Sequence, residues 1–199
     1  MSLPLKQIVD DFALALKAVD ESKPRGVSKA RVYLPGVGPL SESVAVSKAL
    51  NYLKTTKVGA YSGARESRYP NSAMLCDLLI PNQWAIEFKL GRPFGDNGEE
   101  AEHWSENLLH PYPGNTSLIG DCLKLINSGF SERKAVIVLG YEHDPPKIQI
   151  EPTIKSFEII MRKVTKGRIH NNRNPIHLIL PRVKLILQLI VGRRDKWYR

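Results

Sequence analysis

The chain has 199 residues, an apolar content of 42% and a formal net charge of +9, with a pI near 9.6. These values suit one soluble globular domain, and the basic balance favours a polyanionic partner such as nucleic acid. The longest apolar stretch, residues 176–191, is interrupted by a proline, two basic residues and a glutamine, which argues against a membrane-spanning segment.

Two further features of the composition bear on partners and location. Residues 161–199 contain eleven Lys and Arg against the single acid Asp195. This basic segment is either a flank that grips phosphates or a solvated tail. Cys76 and Cys122 lack zinc-site spacing, and the chain shows no signal-peptide pattern. We therefore expect buried, reduced thiols in a cytoplasmic protein.

Apolar residues recur at helical spacing over the first twenty residues, which predicts an amphipathic helix ending before Lys23. Residues 30–34 are predicted to be a short strand and residues 35–39 a tight loop. A second helix is predicted from the N-cap Ser41 to about Tyr52. Glu42, at its start, is either an acid favoured by the helix dipole or part of a functional site.

A polar segment follows at residues 54–72. Its basic and aromatic residues are Lys54, Lys57, Arg65, Arg68, Tyr61 and Tyr69. The interleaving predicts either a segment that lies along a nucleic-acid backbone, held by the four basic residues, or a solvated loop.

The rest of the chain is predicted to alternate between strands and helices. The predicted strands are 73–80, 84–90, 134–141, 176–180 and 183–191, and the predicted helices are 99–109, 116–127 and 152–164. A turn at 81–83 joins the first two strands, and a glycine-rich loop covers 91–98. His103 and His110 are interpreted as structural or exposed. One α/β domain over residues 1–199 accounts for this order.

The predicted hairpin at 73–90 contains the residues that indicate chemistry. In its first strand Asp77 is the single acid among apolar residues, and a buried carboxylate is costly unless it is paired. In the second strand Glu87 and Lys89 share one face, because side chains alternate with a period of two. Symmetric pairing about Asn82 would place Asp77 opposite Glu87, with Cβ atoms about 4.5–5.5 Å apart.

Two carboxylates at that distance need a shared proton or a cation. Mg²⁺ prefers carboxylate and carbonyl oxygens, so we predict a metal site formed by Asp77, Glu87 and the main-chain carbonyl of Phe88. A metal there would polarise a scissile phosphate and lower the pKa of a bound water, while Lys89 would orient that water or offset developing charge. The alternative is an exposed hairpin with a Glu–Lys pair on its solvated face.

The pattern Asp77, nine residues, then Glu87-Phe88-Lys89 resembles the PD-(D/E)XK nuclease superfamily, with Cys76 in place of the proline that gives the pattern its name. The resemblance extends over residues 41–141, because an early acidic helix, a helix after the hairpin and a further apolar strand occur in the same order. It implies a restriction-endonuclease-like core, with a mixed central β-sheet flanked by helices.

Asp121 and Lys124 lie three positions apart on the predicted helix that follows the hairpin. Residues at this spacing are neighbours on a helix surface, and opposite charges there form weak ion pairs. We therefore interpret these two residues as a modest surface pair.

The sequence thus predicts a deoxyribonuclease that depends on Mg²⁺, with Mn²⁺ as a substitute. By the resemblance it is an endonuclease of restriction or repair type that acts on DNA, and such enzymes often act as homodimers. The predicted catalytic residues are Asp77, Glu87, Lys89 and Glu42. The alternatives are a non-catalytic nucleic-acid-binding module with a basic C-terminal region and a protein-interaction domain.

Overall fold

A computed structural model describes residues 2–24, 35–94, 100–101, 103–110, 116–142, 148–165, 177–180 and 183–191, with the side chains of all of these except 141–142 and those from 165 onward. The helices within this part of the chain are α1 (Leu5–Glu21), α2 (Glu42–Thr56), α3 (Val58–Tyr61), α4 (Glu106–Leu109), α5 (Leu118–Ile126) and α6 (Glu151–Thr165). The strands are β1 (Arg65–Arg68), β2 (Leu75–Ile80), β3 (Trp84–Gly91), β4 (Arg133–Glu142), β5 (His177–Leu180) and β6 (Val183–Val191). The predicted strand at 30–34 lies outside the described residues.

The first two helices form as their sequences predict. The apolar stripe of α1, which includes Ile8, Phe12 and Leu16, is fully buried. In α2 the Ser41 side chain accepts a hydrogen bond from Val44 N, which caps the helix. This helix continues to Thr56, one turn beyond its predicted end.

Of the two alternatives for residues 54–72, the solvated loop is wrong. The last turn of α2, the short helix α3 and the edge strand β1 occupy most of this segment. Tyr61 and Tyr69 are buried rather than directed at solvent or a partner, so neither ring is available to stack on a base. Polar composition was misleading here, because β1 is a sheet edge that faces solvent while its neighbours pack inward.

The six strands form one mixed sheet in the order β1-β2-β3-β4-β6-β5. β1, β2 and β3 are antiparallel neighbours, β4 runs parallel to both β3 and β6, and β5 returns antiparallel to β6. The predicted late strands and the mixed α/β architecture are thereby confirmed. β3 is buried along its whole length, which explains its nearly continuous apolar sequence.

Two apolar clusters lie on opposite faces of this sheet. Leu78, Ile86 and Phe88 point toward α1 and α2. Ala85 and Val136 point toward the other face, where α5 and α6 pack. Because side chains alternate along a strand, Glu87 and Lys89 belong to the α5 face.

The acidic helix predicted at 99–109 is only partly formed. Glu100 pairs with Phe94 in an isolated β-bridge, and the described helix begins at Glu106. His103 takes a positive φ of 58°, which is incompatible with a helix running through it. His103 is exposed, as predicted.

Several other expectations concern burial and the membrane. Cys76 and Cys122 are buried and unpaired with each other, in agreement with the sequence. None of the helices described has the combination of length and apolarity needed to cross a bilayer. The basic segment 161–199 falls mostly outside the part of the chain whose side chains are described.

Candidate functional site

The β2–β3 hairpin has the register that its turn length predicts. Leu78 pairs with Ile86 and Ile80 pairs with Trp84, which is symmetric about Asn82. On the other edge of β2 the register with β1 shifts. Arg65 pairs with Leu79 and Ser67 pairs with Cys76, so β2 has one residue more than β1 between these pairs. This irregularity spans Asp77 and Leu78, the two residues of β2 that lie between the paired positions.

Asp77 and Glu87 lie on the neighbouring strands β2 and β3. Asp77 Oδ2 accepts a hydrogen bond of 2.8 Å from the backbone N–H of Phe88, the residue that follows Glu87. Burial raises the pKa of Glu87 to about 9, and the neighbouring Asp77 carboxylate adds to the shift by its charge and by hydrogen bonding. The Asp77 carboxylate therefore lies close enough to Glu87 to act on its protonation.

Tyr69 is a further residue of this site. Its hydroxyl donates a hydrogen bond to Glu87 Oε1, and its ring packs against Phe130 with centroids 5.3 Å apart. Burial and the Glu87 charge raise the pKa of Tyr69, so the hydroxyl stays protonated and remains a donor. Tyr69 lies eight positions before Asp77, and no periodicity in the sequence links the two.

Lys89 is held by three acceptors. Its ammonium lies 3.0 Å from Glu42 Oε1, 2.9 Å from Asp121 Oδ2 and 2.8 Å from the carbonyl oxygen of Thr116. Burial disfavours the charged form, but Glu42 and Asp121 outweigh it and raise the pKa of Lys89. The lysine is therefore a protonated bridge between β3, α2 and α5.

Glu42 is engaged through both of its oxygens. Oε1 binds Lys89, and Oε2 accepts a hydrogen bond of 2.6 Å from the backbone N–H of Leu90. Burial raises the pKa of Glu42, and Lys89 partly offsets this effect. Glu42 thus joins the start of α2 to the end of β3, where it holds Lys89.

The interpretation of Asp121 and Lys124 as a modest surface pair is wrong. Its side chain is buried, and its two oxygens bind different lysines: Oδ2 binds Lys89, and Oδ1 lies 2.6 Å from Lys124. Lys124 also lies 3.9 Å from Glu87 Oε1. The buried N-cap Ser117 accepts a hydrogen bond from Gly120 N and so directs the first turn of α5 toward β3. Spacing alone gave no signal of this, because it does not tell which way a helix faces.

The predicted nucleic-acid residues are arranged in two groups. Lys57 is bound to the buried carboxylate of Asp11 at 2.6 Å, and Lys54 is half-buried in the last turn of α2. Arg65 and Arg68 are exposed on β1, the strand that pairs with β2. The two arginines are therefore the nearer to Asp77 along the sheet.

A cavity of about 210 Å³ opens at the end of β3. Its lining residues are Glu42, Lys89, Leu90, Arg92, Asn107 and Thr116. This cavity lies on the Glu42 side of Lys89, and neither Asp77 nor Glu87 lines it.

The donor set at the carboxyl pair fits a hard divalent cation. In the described residues no three His, Cys, Asp or Glu side chains gather into a metal-binding group. The available donors are therefore Asp77, Glu87 and a main-chain carbonyl. The N–H group of Phe88 points toward β2, where it binds Asp77. The carbonyl group of Phe88 points in the same direction, because both groups of one strand residue lie on the same edge of the strand. Mg²⁺ commonly uses one or two carboxylates and retains several waters, so this set suffices for it.

Comparisons with family models, with curated proteins and with solved structures found no match for this chain. The resemblance to the nuclease superfamily therefore depends on the residues of the hairpin and on the order of the elements around it.

Proposed function

We propose that the chain is a metal-dependent nuclease that hydrolyses DNA phosphodiester bonds, with a restriction-endonuclease-like core. The observation that carries this proposal is that Asp77, whose side chain is bound to the backbone N–H of Phe88, lies beside Glu87 on the neighbouring strand and raises its pKa. Their like charges favour a cation between them, and burial makes the unpaired arrangement costly. A basic chain of net charge +9 supports a polyanionic substrate.

The order of elements also supports the proposal. An early helix contributes the acid Glu42, an antiparallel hairpin contributes Asp77 and Glu87, and a helix and a parallel strand follow. This is the order that the resemblance to the PD-(D/E)XK superfamily implies. Fold likeness does not specify chemistry, so the site residues remain the main argument.

In the proposed mechanism Asp77, Glu87 and the Phe88 carbonyl hold Mg²⁺ or Mn²⁺. When bound, the ion polarises the scissile phosphate and lowers the pKa of an attacking water. Two hydrogen bonds keep the carboxylates in place: the backbone N–H of Phe88 donates to Asp77, and the Tyr69 hydroxyl donates to Glu87. Partners of this kind orient the groups that hold a metal and strengthen binding.

DNA reaches this site from the solvent side of β1 and β2. Arg65 and Arg68 are exposed on β1, and we propose that they contact the phosphate backbone. Lys57 must release Asp11 before it can do the same. Contacts to phosphates position the duplex without reading its sequence, so these residues set affinity rather than specificity.

Supercoiled plasmid incubated with the purified protein tests the proposal. We expect nicking that requires Mg²⁺ or Mn²⁺, stops in EDTA and is lost in Asp77→Asn. The matched control is Asp10→Asn, because Asp10 is a partly exposed acid of α1 that pairs with Lys6. Linear product formed together with nicked product would indicate a homodimer in which each subunit cuts one strand.

The same preparation separates the alternatives. Tight DNA binding without cleavage under any divalent metal would support the non-catalytic nucleic-acid-binding module. The absence of any salt-dependent affinity for DNA would support a protein-interaction domain instead. Either result would contradict the nuclease.

A further inference from the structure

We propose that Lys124, on α5, is the lysine that contacts the substrate phosphate at the Asp77–Glu87 pair, and that Lys89 is a positioning residue. This inference rests on the proposed nuclease function and changes the role of the ExK lysine within it. It follows from the donors that each ammonium has available, from the exposure of the two side chains and from the way in which Asp121 holds both.

The Lys89 ammonium is already occupied by acceptors of the protein. A lysine ammonium has three hydrogen-bond donors. Those of Lys89 have three close acceptors: a carboxylate oxygen of Glu42, one of Asp121 and the Thr116 carbonyl. To orient a water or contact a phosphate, Lys89 would have to give up one of these partners inside a mostly buried network. Breaking a buried charged contact is costly, so Lys89 is best suited to hold β3 against α2 and α5.

The Lys89 and Lys124 side chains differ in their exposure to solvent. The Lys89 side chain is 9% exposed, and its open side faces the cavity next to Glu42. The Lys124 side chain is 24% exposed. Among the described residues its ammonium has one short contact, at 2.6 Å to Asp121, and lies 3.9 Å from Glu87 Oε1. Lys124 therefore reaches the carboxyl pair and has room to turn toward an incoming group.

Asp121 holds both lysines. Its two oxygens bind Lys89 and Lys124 separately, and the carboxylate itself is buried. This arrangement ties Lys124 to β3 through Lys89 and aims its ammonium across the face that carries Glu87. Asp121 is thus a second positioning residue, and its effect on substrate passes through Lys124.

The chemistry that such a lysine can supply is electrostatic. A phosphodiester that approaches two carboxylates is repelled unless positive charge accompanies it. A metal ion supplies part of that charge, and an ammonium beside Glu87 supplies more, directed at the non-bridging oxygens where charge accumulates during hydrolysis. No bond to Lys124 forms or breaks.

The test compares Lys124→Met with Lys89→Met, with Lys124→Arg as the conservative variant. The control is Lys17→Met, because Lys17 is exposed on α1, which packs on the opposite face of the sheet. Affinity for a fluorescent DNA duplex is measured in Ca²⁺ over a range of salt concentrations, and the duplex is checked by gel for integrity. Single-turnover cleavage in Mg²⁺ and the melting temperature are measured on the same proteins.

We expect Lys124→Met to reduce the slope of log affinity against log salt by about 0.9, the value for the loss of one phosphate contact. Its cleavage rate should fall about 10²-fold, the usual loss for one transition-state donor, and Lys124→Arg should recover part of it. Lys89→Met should lower the melting temperature most and leave the salt slope unchanged. Lys17→Met should resemble wild type.

Other outcomes overturn the inference. A wild-type slope and rate in Lys124→Met would refute the phosphate contact of Lys124, and a reduced slope in Lys89→Met would assign that contact to Lys89. In either case the nuclease function stands. A wild-type protein that binds DNA but never cleaves it would refute the function alone, and the salt slopes would still decide which lysine meets the phosphate. A wild-type protein that does not bind DNA would refute both.

Discussion

Two buried carboxylates in this protein have similar partners but different charge balance. On the α1 face of the sheet Asp11 accepts hydrogen bonds from Lys57 at 2.6 Å and from the Tyr61 hydroxyl at 2.9 Å. On the α5 face Glu87 accepts one from the Tyr69 hydroxyl and has a lysine 3.9 Å away. The first cluster contains one acid and is neutral.

The second cluster adds Asp77, which raises the pKa of Glu87 by its charge and by hydrogen bonding. Its lysines are drawn toward Asp121 and Glu42 instead. A neutral buried cluster stabilises a fold, whereas an adjacent pair of acids must either retain a proton or bind a cation. The charge balance therefore separates a structural polar cluster from a candidate site, and five substitutions test that separation.

The largest effect is expected for Asp77→Asn. Loss of one charged donor should reduce metal-dependent nicking by about 10²–10³-fold, the range for removal of one group that stabilises developing charge. Above about pH 9, where Glu87 is ionised in the metal-free protein, the melting temperature should stay the same or rise, because the repulsion between the two carboxylates disappears. A variant that loses both activity and stability would indicate that Asp77 has a structural role, like Asp11.

Asp11→Ala tests the neutral cluster. It leaves the fully buried Tyr61 hydroxyl without its acceptor, so we expect the free energy of unfolding to fall by about 2 kcal/mol. Urea denaturation of the metal-free protein measures this change. The plasmid assay should show wild-type nicking under conditions where the variant is folded. Lost nicking in the folded variant would mean that the two clusters are coupled.

The pH dependence of stability should distinguish Glu87. Its pKa rises from 4.5 to about 9 on folding, so the folded metal-free chain retains a proton that the unfolded chain releases between those values. Glu87 therefore contributes stability that is complete at low pH and is lost as the pH rises through about 9. Relative to Glu87→Gln, the wild-type melting temperature in EDTA should fall between pH 5 and pH 9.

Mg²⁺ provides the control for that measurement. A bound cation favours the ionised carboxylate, so Mg²⁺ should weaken the pH dependence of wild type and leave Glu87→Gln less affected. Parallel curves for the two proteins, with and without Mg²⁺, would contradict the raised pKa of Glu87.

The smallest effect is expected from the two tyrosines. Tyr69→Phe removes the hydroxyl that orients Glu87 and should slow nicking about tenfold, the lower end for loss of a partner that orients a metal ligand. Tyr61→Phe should leave the nicking rate unchanged and cost about 1 kcal/mol of unfolding free energy. Equal nicking rates for the two variants would show that the Tyr69 hydroxyl has no role in orienting Glu87 for metal binding.

The sequence predicted the hairpin well and its surroundings poorly. Alternating apolar residues and a three-residue turn were enough to predict the β2–β3 register, because a one-residue slip would move every side chain to the other face. The same reasoning failed for the segment 54–72, where Tyr61 and Tyr69 are buried. Composition describes the average exposure of a segment and not the direction of each side chain.

Asp121 shows why the remaining site residues were missed. An acid and a lysine three positions apart on a helix have the same sequence pattern at the surface as in a buried network. The difference arises because α5 packs with its first turn against β3, which brings Asp121 within 2.9 Å of Lys89, 32 positions earlier in the chain. No local pattern contains that orientation.

By itself, then, the sequence determined the alternation of strands and helices, the isolated position of Asp77 in an apolar strand and the shared face of Glu87 and Lys89. These features depend on periods of two or 3.6 residues and on one short turn, so they are encoded locally. The tertiary structure alone decided that Asp77 binds the backbone N–H of Phe88, that Tyr69 reaches Glu87 and that Asp121 binds two lysines. Those contacts join elements distant in sequence, and packing of whole helices and strands sets their geometry.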